Sequence, residues 1–177
     1  MLSPLVRSRP ATTALTLAVA ALTLAGCSLG DSGSLPPFTD PATQVYDAST
    51  NVTIAAMTRT TPQVFTQDVT TGTGRTVATG DSISVYYTGK LSTGFQFDAR
   101  TRPSVVFSTV LDSTRLISGW VIGLAGMKVG GIRRVVIGPE NGYQFRAVTG
   151  QPGGPVIIPP NSVLVFEVEA TAAFARP

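Results

Sequence analysis

Between Gln63 and Phe174 the apolar residues recur at every second position in segment after segment, and that period changes only once. Ile83, Val85 and Tyr87 alternate with Ser82, Ser84 and Tyr86, while Leu164, Phe166 and Val168 share one side of a run whose other side carries Glu167 and Glu169. Successive side chains of an extended strand point to opposite faces, so each pattern describes a strand with one face in a core and the other in water. The same reading covers Val64 to Val69, closed by the turn Thr71-Gly72-Thr73-Gly74, and Ile132 to Ile137. It also gives a short strand with Phe95 and Phe97 on one face, and another beginning at Val105-Val106-Phe107. The exception is Leu116, Ile117, Trp120, Val121 and Leu124, which repeat at helical spacing behind Ser113 or Thr114 as the cap. Gly119 and Gly123 weaken such a helix by about 1 kcal/mol each relative to alanine, so it needs tertiary packing to persist. The expectation is an α+β domain of five to six mainly antiparallel strands and one short helix on one face.

What the chain lacks narrows its chemistry. Its 177 residues include no histidine and one cysteine. Ser-His-Asp and Cys-His catalysis, His-ligated metals, Cys-cluster metals and an intramolecular disulfide are all excluded, and no cofactor or metal is expected. The formal charge is +3, and two of the thirteen basic residues, Arg7 and Arg9, fall in a segment that reads as a removable leader. The only adjacent basic pair is Arg133-Arg134, so nucleic acid is not an expected partner.

Residues 1–26 read as a leader: Arg7 and Arg9 form a positive start, and Ala11 to Ala25 is an uncharged Ala/Leu/Thr-rich run, short for a membrane span. It ends in Leu24-Ala25-Gly26-Cys27, which resembles the bacterial lipobox. That resemblance implies acylation of the Cys27 thiol and an anchor on the extracytoplasmic face of a bacterial membrane; the alternative is an ordinary leader followed by an incidental cysteine. Residues 27–45, with Pro36, Pro37 and Pro41 and few large apolar groups, read as a flexible tether. The domain is expected over 46–177, its core over about 63–174. Within it Val52-Thr53-Ile54 reads either as an added strand or as more linker.

Six motifs follow in order: Val-Tyr-Tyr-Thr-Gly at 85–89, Gly94-Phe95-Gln96-Phe97-Asp98, Leu116-Ile117-Ser118-Gly119-Trp120, Gly123-Leu124-Ala125-Gly126-Met127, Gly142-Tyr143-Gln144 and Ile157-Ile158-Pro159-Pro160, ahead of the Leu164 to Glu169 strand. They supply aromatic and aliphatic side chains, one isolated carboxylate and a tyrosine, but no nucleophile beside a base. Such a set suits a pocket that rotates a bond rather than breaking one.

In order and wording these motifs resemble the FKBP-type peptidyl-prolyl isomerases over roughly Gln63 to Phe174. The resemblance implies a curved antiparallel sheet wrapped around one short helix, with an apolar pocket between them. Carried over residue by residue, it implies a substrate pocket of Tyr87, Phe97, Leu116, Ile117, Trp120, Tyr143, Ile158 and Phe166, with Asp98, Trp120 and Tyr143 as the catalytic set. Trp120 would be the floor and Tyr87, Phe97 and Phe166 the walls, while the Tyr143 phenol and the Ile117 N–H would hold substrate carbonyls. Asp98 would orient its neighbours or act electrostatically on the twisted amide. The family arginine that pairs with this aspartate falls on Arg100 or Arg102, and a further aromatic of many members falls on Val105. The resemblance implies proline-containing polypeptides as substrates, macrolide inhibitors as further ligands, and isomerisation of exported or cell-envelope proteins. The alternative is a binding or chaperone module of the same fold with little catalysis. A monomer is expected.

Overall fold

The computed structural model describes residues 35–176; the expected leader, Cys27 and the first part of the expected tether lie outside the described residues. Among the described residues the chain forms, in order, β1 (Thr58–Thr61), β2 (Val64–Thr70), β3 (Ser82–Leu91), β4 (Gln96–Arg100), β5 (Phe107–Val110), α1 (Ser118–Leu124), β6 (Ile132–Ile137), β7 (Val148–Thr149), β8 (Val156–Ile158) and β9 (Leu164–Phe174). Seven of these strands make one antiparallel sheet in the order β1-β2-β6-β9-β3-β4. β5 pairs with the Ser82–Val85 end of β3, on the edge where β4 pairs with Tyr87–Lys90. The α+β architecture is as expected, with more strands than alternation revealed. The additions are β1, whose Thr-Arg-Thr-Thr has no apolar face, and the β7–β8 hairpin built inside a Gly/Pro-rich stretch.

β3 shows the simplest link from sequence to burial: Ile83, Val85 and Tyr87 are buried and the residues between them are half-buried. On the inner face these side chains meet Val64, Val135, Ile137, Leu164, Phe166 and Val168, and α1 lays Trp120 and Leu124 over them. The helix starts later than its periodicity suggests. Ile117 is its N-cap residue in extended conformation, and neither Ser113 nor Thr114 caps it. Instead the Asp112 carboxylate accepts the Thr114 hydroxyl (2.6 Å) and the N–H groups of Thr114 and Arg115 (3.0 and 3.1 Å), forming a separate turn. Short polar side chains offer the backbone this alternative to a helical turn. Gly119 and Gly123 lie against β6: a Cβ at either would overlap Ile137 or Val135 respectively. Their weak helix propensity is the cost of close approach to the sheet.

The outer face is not left to water. Phe65, Val136, Val163 and Val165 form a second core with Met57, covered by Tyr46, Val52 and Ile54. Residues 41–56 cross it as three short 3₁₀ turns, Pro41–Thr43, Ala48–Thr50 and Ile54–Ala56, so Val52-Thr53-Ile54 is not a strand. Asp40 and Asp47 start the first two by accepting the Ala42 and Ser49 N–H groups. The described end of the segment read as a tether is held down as well. Phe38 stacks on Phe145 at 4.9 Å, Thr39 N–H donates to Asn161 Oδ1 at 3.0 Å, and the Tyr46 hydroxyl donates to the Pro41 carbonyl at 2.7 Å.

Candidate functional site

Strict alternation would send Phe97 and Asp98 to opposite faces of β4, yet both line the same cavity. The β3–β4 register explains this: Gly89 opposes Asp98 while the next residue, Lys90, opposes Gln96. Phe97 is the extra residue of a β-bulge, and the local bend turns both side chains inward. Gly89 makes room for the result. A Cβ there would lie 2.8 Å from Phe166 Cε1 and 2.8 Å from Phe97 Cε2, well inside van der Waals contact.

The cavity has a volume of about 710 Å³ and opens between β3, β4, β9, the start of α1 and the segment after β6. Trp120 is only 4% exposed; its indole belongs to the inner core and also forms the cavity floor. Three rings stand edge-on to it, with centroids at 5.2 Å (Tyr87), 5.3 Å (Phe166) and 6.3 Å (Phe107), and interplanar angles of 88°, 87° and 86°. Phe97 stands edge-on to Phe166 at 5.6 Å. Edge-to-face pairs contribute about 0.5–1.5 kcal/mol each beyond burial, so the box is rigid before anything enters it.

The polar groups are few. The Tyr87 hydroxyl donates to Asp98 Oδ2 at 2.6 Å. Burial, then this hydrogen bond, push the Tyr87 phenol far above its ordinary value, so it remains a donor at neutral pH. Burial, then the Asp98 charge, also raise Tyr143. The Tyr143 hydroxyl lines the cavity and has no hydrogen-bond partner among the described residues, and the same holds for the N–H of Ile117. Two donors on lining residues are thus left without an acceptor among the described residues. No histidine, thiol or second carboxylate joins Asp98 among the lining residues, so nothing resembles a metal cage or a nucleophile–base pair.

Of the residues singled out from sequence, Tyr87, Phe97, Asp98, Leu116, Ile117, Trp120, Tyr143 and Phe166 come together around one cavity. Ile158 does not: it is buried on β8 as part of the inner core. Val105 is 85% exposed and lies outside the cavity, and Phe107 supplies the wall instead. The loop after β4 occupies more residues than the spacing allowed for, so the inward position falls where β5 begins. Neither arginine forms an ion pair with Asp98. Arg102 makes a two-pronged bond to Glu169 (2.6 and 2.9 Å) and lies over the Tyr86 ring at 4.5 Å, whereas Arg100 faces the cavity. Sequence reasoning missed Phe107, Arg115 and Arg146 as lining residues; only Phe107 had a signal, as the first aromatic of a strand. Gln144, at the rim, has φ +56°. That left-handed conformation is the one glycine adopts without strain, and here a glutamine holds it.

The sequence pattern of the FKBP-type peptidyl-prolyl cis-trans isomerases matches residues 73–171. FK506-binding protein of Neisseria meningitidis serogroup A is 37% identical over 103 residues, 58% of this chain and 89% of that protein. FK506-binding protein 4 of Chaetomium thermophilum is 45% identical over 98 residues, 55% of this chain but 19% of that protein. The chain thus spans only about a fifth of the length of such larger curated relatives. Among solved structures, FkpA from Escherichia coli superposes with a TM-score of 0.58 at 33% identity, covering 69% of this chain and 53% of that one. With the sheet, the single helix and the aromatic cavity in agreement, the chain belongs to the family of FKBP-type peptidyl-prolyl cis-trans isomerases.

Proposed function

We propose that the chain catalyses cis–trans exchange of X–Pro peptide bonds, on polypeptides that have left the cytoplasm, while tethered to the membrane through Cys27. The observation that carries the activity is the box itself: an indole floor, four perpendicular or facing rings, and two unpartnered donors at its wall. An X–Pro bond crosses a barrier of about 18–20 kcal/mol because resonance keeps it planar, and uncatalysed exchange takes tens to hundreds of seconds. Twisting the bond breaks that resonance and lowers the amide's polarity. A dry aromatic pocket therefore disfavours the planar state relative to the twisted one, which is the differential binding that lowers a barrier.

In this reading Trp120 and the surrounding rings hold the pyrrolidine by shape and burial. Tyr143 Oη and the Ile117 N–H hold the carbonyls on either side, fixing the ends of the bond about which rotation occurs. Asp98 keeps the Tyr87 phenol in place and offers negative charge near the rotating amide without transferring a proton. Leu116 extends the apolar rim. The binding-module alternative rests on Val105, Gln144 and the long loop after Gln144; Phe107 as the wall residue weakens the first of these, while Gln144 does line the cavity. Macrolide inhibitors would occupy the same cavity.

The test is a prolyl exchange assay on a short X–Pro peptide with the wild-type domain, Asp98→Ala and Tyr143→Phe. Acceleration by wild type that falls about tenfold or more in either variant, with the fold intact by circular dichroism, is expected. Absence of acceleration by wild type would overturn the reading. Mass spectrometry of the mature N-terminus tests the anchor: an unmodified Cys27 thiol refutes it.

A further inference from the structure

The arginines of the described residues divide into two groups. Arg75, Arg102, Arg133 and Arg134 each form an ion pair, with Asp81, Glu169, Asp68 and Glu167. Five form none: Arg59, which donates to the Pro62 carbonyl and lies over the Phe65 ring, Arg176 near the C-terminal end, and the three that line the aromatic cavity, Arg100, Arg115 and Arg146. These last three come from separate places: the end of β4, the turn before α1, and the segment after Tyr143. The Asp112 carboxylate, which feels the Arg115 charge, instead accepts hydrogen bonds from the Thr114 hydroxyl and from the Thr114 and Arg115 N–H groups. With Asp98 the only acid on the cavity wall, the site carries an excess of two positive charges. Elsewhere in residues 35–176 eight basic residues stand against eight acidic ones, so the whole net charge of the described chain sits at this site.

We infer that the site selects X–Pro segments carrying an aspartate or glutamate within two residues of the proline. The inference rests on the prolyl-isomerase reading of the cavity and specifies its substrate class. Three guanidinium groups around an apolar cup attract a carboxylate beside the bound proline and repel a lysine there. Complementary charge of this kind sets partner choice and encounter rate more than raw affinity. All three arginine side chains are exposed, so each contribution is modest and screened by salt. The discrimination between a glutamate and a lysine peptide sums several such contributions with opposite signs. It should reach roughly tenfold at low ionic strength, which corresponds to about 1.4 kcal/mol.

The experiment uses the full chain and peptides differing only in the residue beside proline: glutamate, leucine or lysine. Exchange rates give kcat/KM, and the fluorescence of Trp120, the single tryptophan and the cavity floor, gives binding independently of catalysis. Expected is a glutamate-to-lysine ratio near ten at low salt that shrinks toward one in molar salt. In Arg115→Glu combined with Arg146→Glu the ratio should invert, whereas Arg176→Glu, outside the cavity, should leave it as it was. A ratio near one in wild type, or an equal change in the Arg176 variant, overturns the inference. So does equal binding of a glutamate peptide in which alanine replaces proline. If no peptide is isomerised faster but the binding ratio holds, the isomerase reading fails while the charge selection stands. If leucine and lysine peptides are turned over as well as glutamate, the reverse is true.

Discussion

Gly89→Ala is the smallest change that separates the cavity's shape from the rest of the fold. The new methyl would sit 2.8 Å from Phe166 Cε1 and from both Cε2 and Cζ of Phe97. Carbon pairs prefer about 3.5–4.0 Å, so each ring must retreat by roughly 0.7–1.2 Å. Neither retreat is free. Phe166 already stands edge-on to Trp120 at 5.3 Å and to Phe97 at 5.6 Å, and it is almost fully buried. Overpacking of this kind costs about 1–3 kcal/mol, against which alanine in a strand recovers about 0.5–1 kcal/mol relative to glycine. The net expectation is a loss of about 0.5–2 kcal/mol in stability, read as a lowered denaturant midpoint with an unchanged slope. Activity should suffer far more. A displacement near 1 Å of groups that position a reacting bond costs on the order of 10²-fold, so kcat/KM for prolyl exchange should fall by one to two orders of magnitude in a domain that is still folded. A variant with wild-type exchange rate and wild-type midpoint would show that the rings move aside at no cost, and the rigid-box account would be refuted.

Three further outcomes are expected. Gln144→Gly removes a side chain from a left-handed backbone (φ +56°) and should raise stability by up to about 1 kcal/mol in thermal unfolding; a destabilised variant would mean the side chain's contacts outweigh that strain. Hydrogen bonds from Arg75, then the Ala78 N–H, hold the Asp81 carboxyl below its ordinary value, so its contribution is present above about pH 4 and is lost as pH falls through the depressed folded value. Asp81→Asn should therefore flatten the acid limb of a plot of urea midpoint against pH, and an unchanged limb would contradict this. Removal of residues 1–45 deletes the Phe38–Phe145 stack and the Asn161 contacts, and should speed amide hydrogen exchange in 143–146; unchanged protection there would show the rim stands without them.

How far the fold could be read from the chain depended on whether a segment faces water on one side. β3 alternates cleanly because its outer residues, Ser82, Ser84, Tyr86 and Thr88, are half-exposed, and it was legible residue by residue. β6 and the start of β9 were legible as strands but not in their surroundings. Val135-Val136-Ile137 and Val163-Leu164-Val165-Phe166 are continuous apolar runs, which is the signature of burial on both faces. That signal was present, and what it implied was a cover for the outer face, which residues 41–57 supply. The cover itself carried no periodicity, because short 3₁₀ turns capped by Asp40 and Asp47 follow side-chain hydrogen bonds rather than a repeating stripe. In the site, eight of the residues singled out from sequence line one cavity, on strands, on the helix and in the segments beside them, while two positions fall elsewhere. Val105 was displaced by Phe107, and Ile158 fell into the core because β8 pairs with β7 instead of lining the cavity.

The rim of the cavity and the N-terminal segment are also physically one unit. Asn161 accepts the Thr39 N–H, donates its side-chain amide to the Pro37 carbonyl at 3.4 Å, and gives its own backbone N–H to the Gln144 carbonyl at 2.7 Å. One residue thus ties the entry of the domain to the residue next to Tyr143. Phe38 stacked on Phe145 does the same from the other side of Gln144. The Gly/Pro-rich stretch that follows, 150–155, has little to pack and would leave a tyrosine at its root poorly located on its own. Pinning Gln144 and Phe145 holds the two residues after Tyr143 in place although the adjoining hairpin is built on two short strands. The same arrangement joins residues 37–39 to the segment that carries Tyr143, through the Asn161 hydrogen bonds and the Phe38–Phe145 stack.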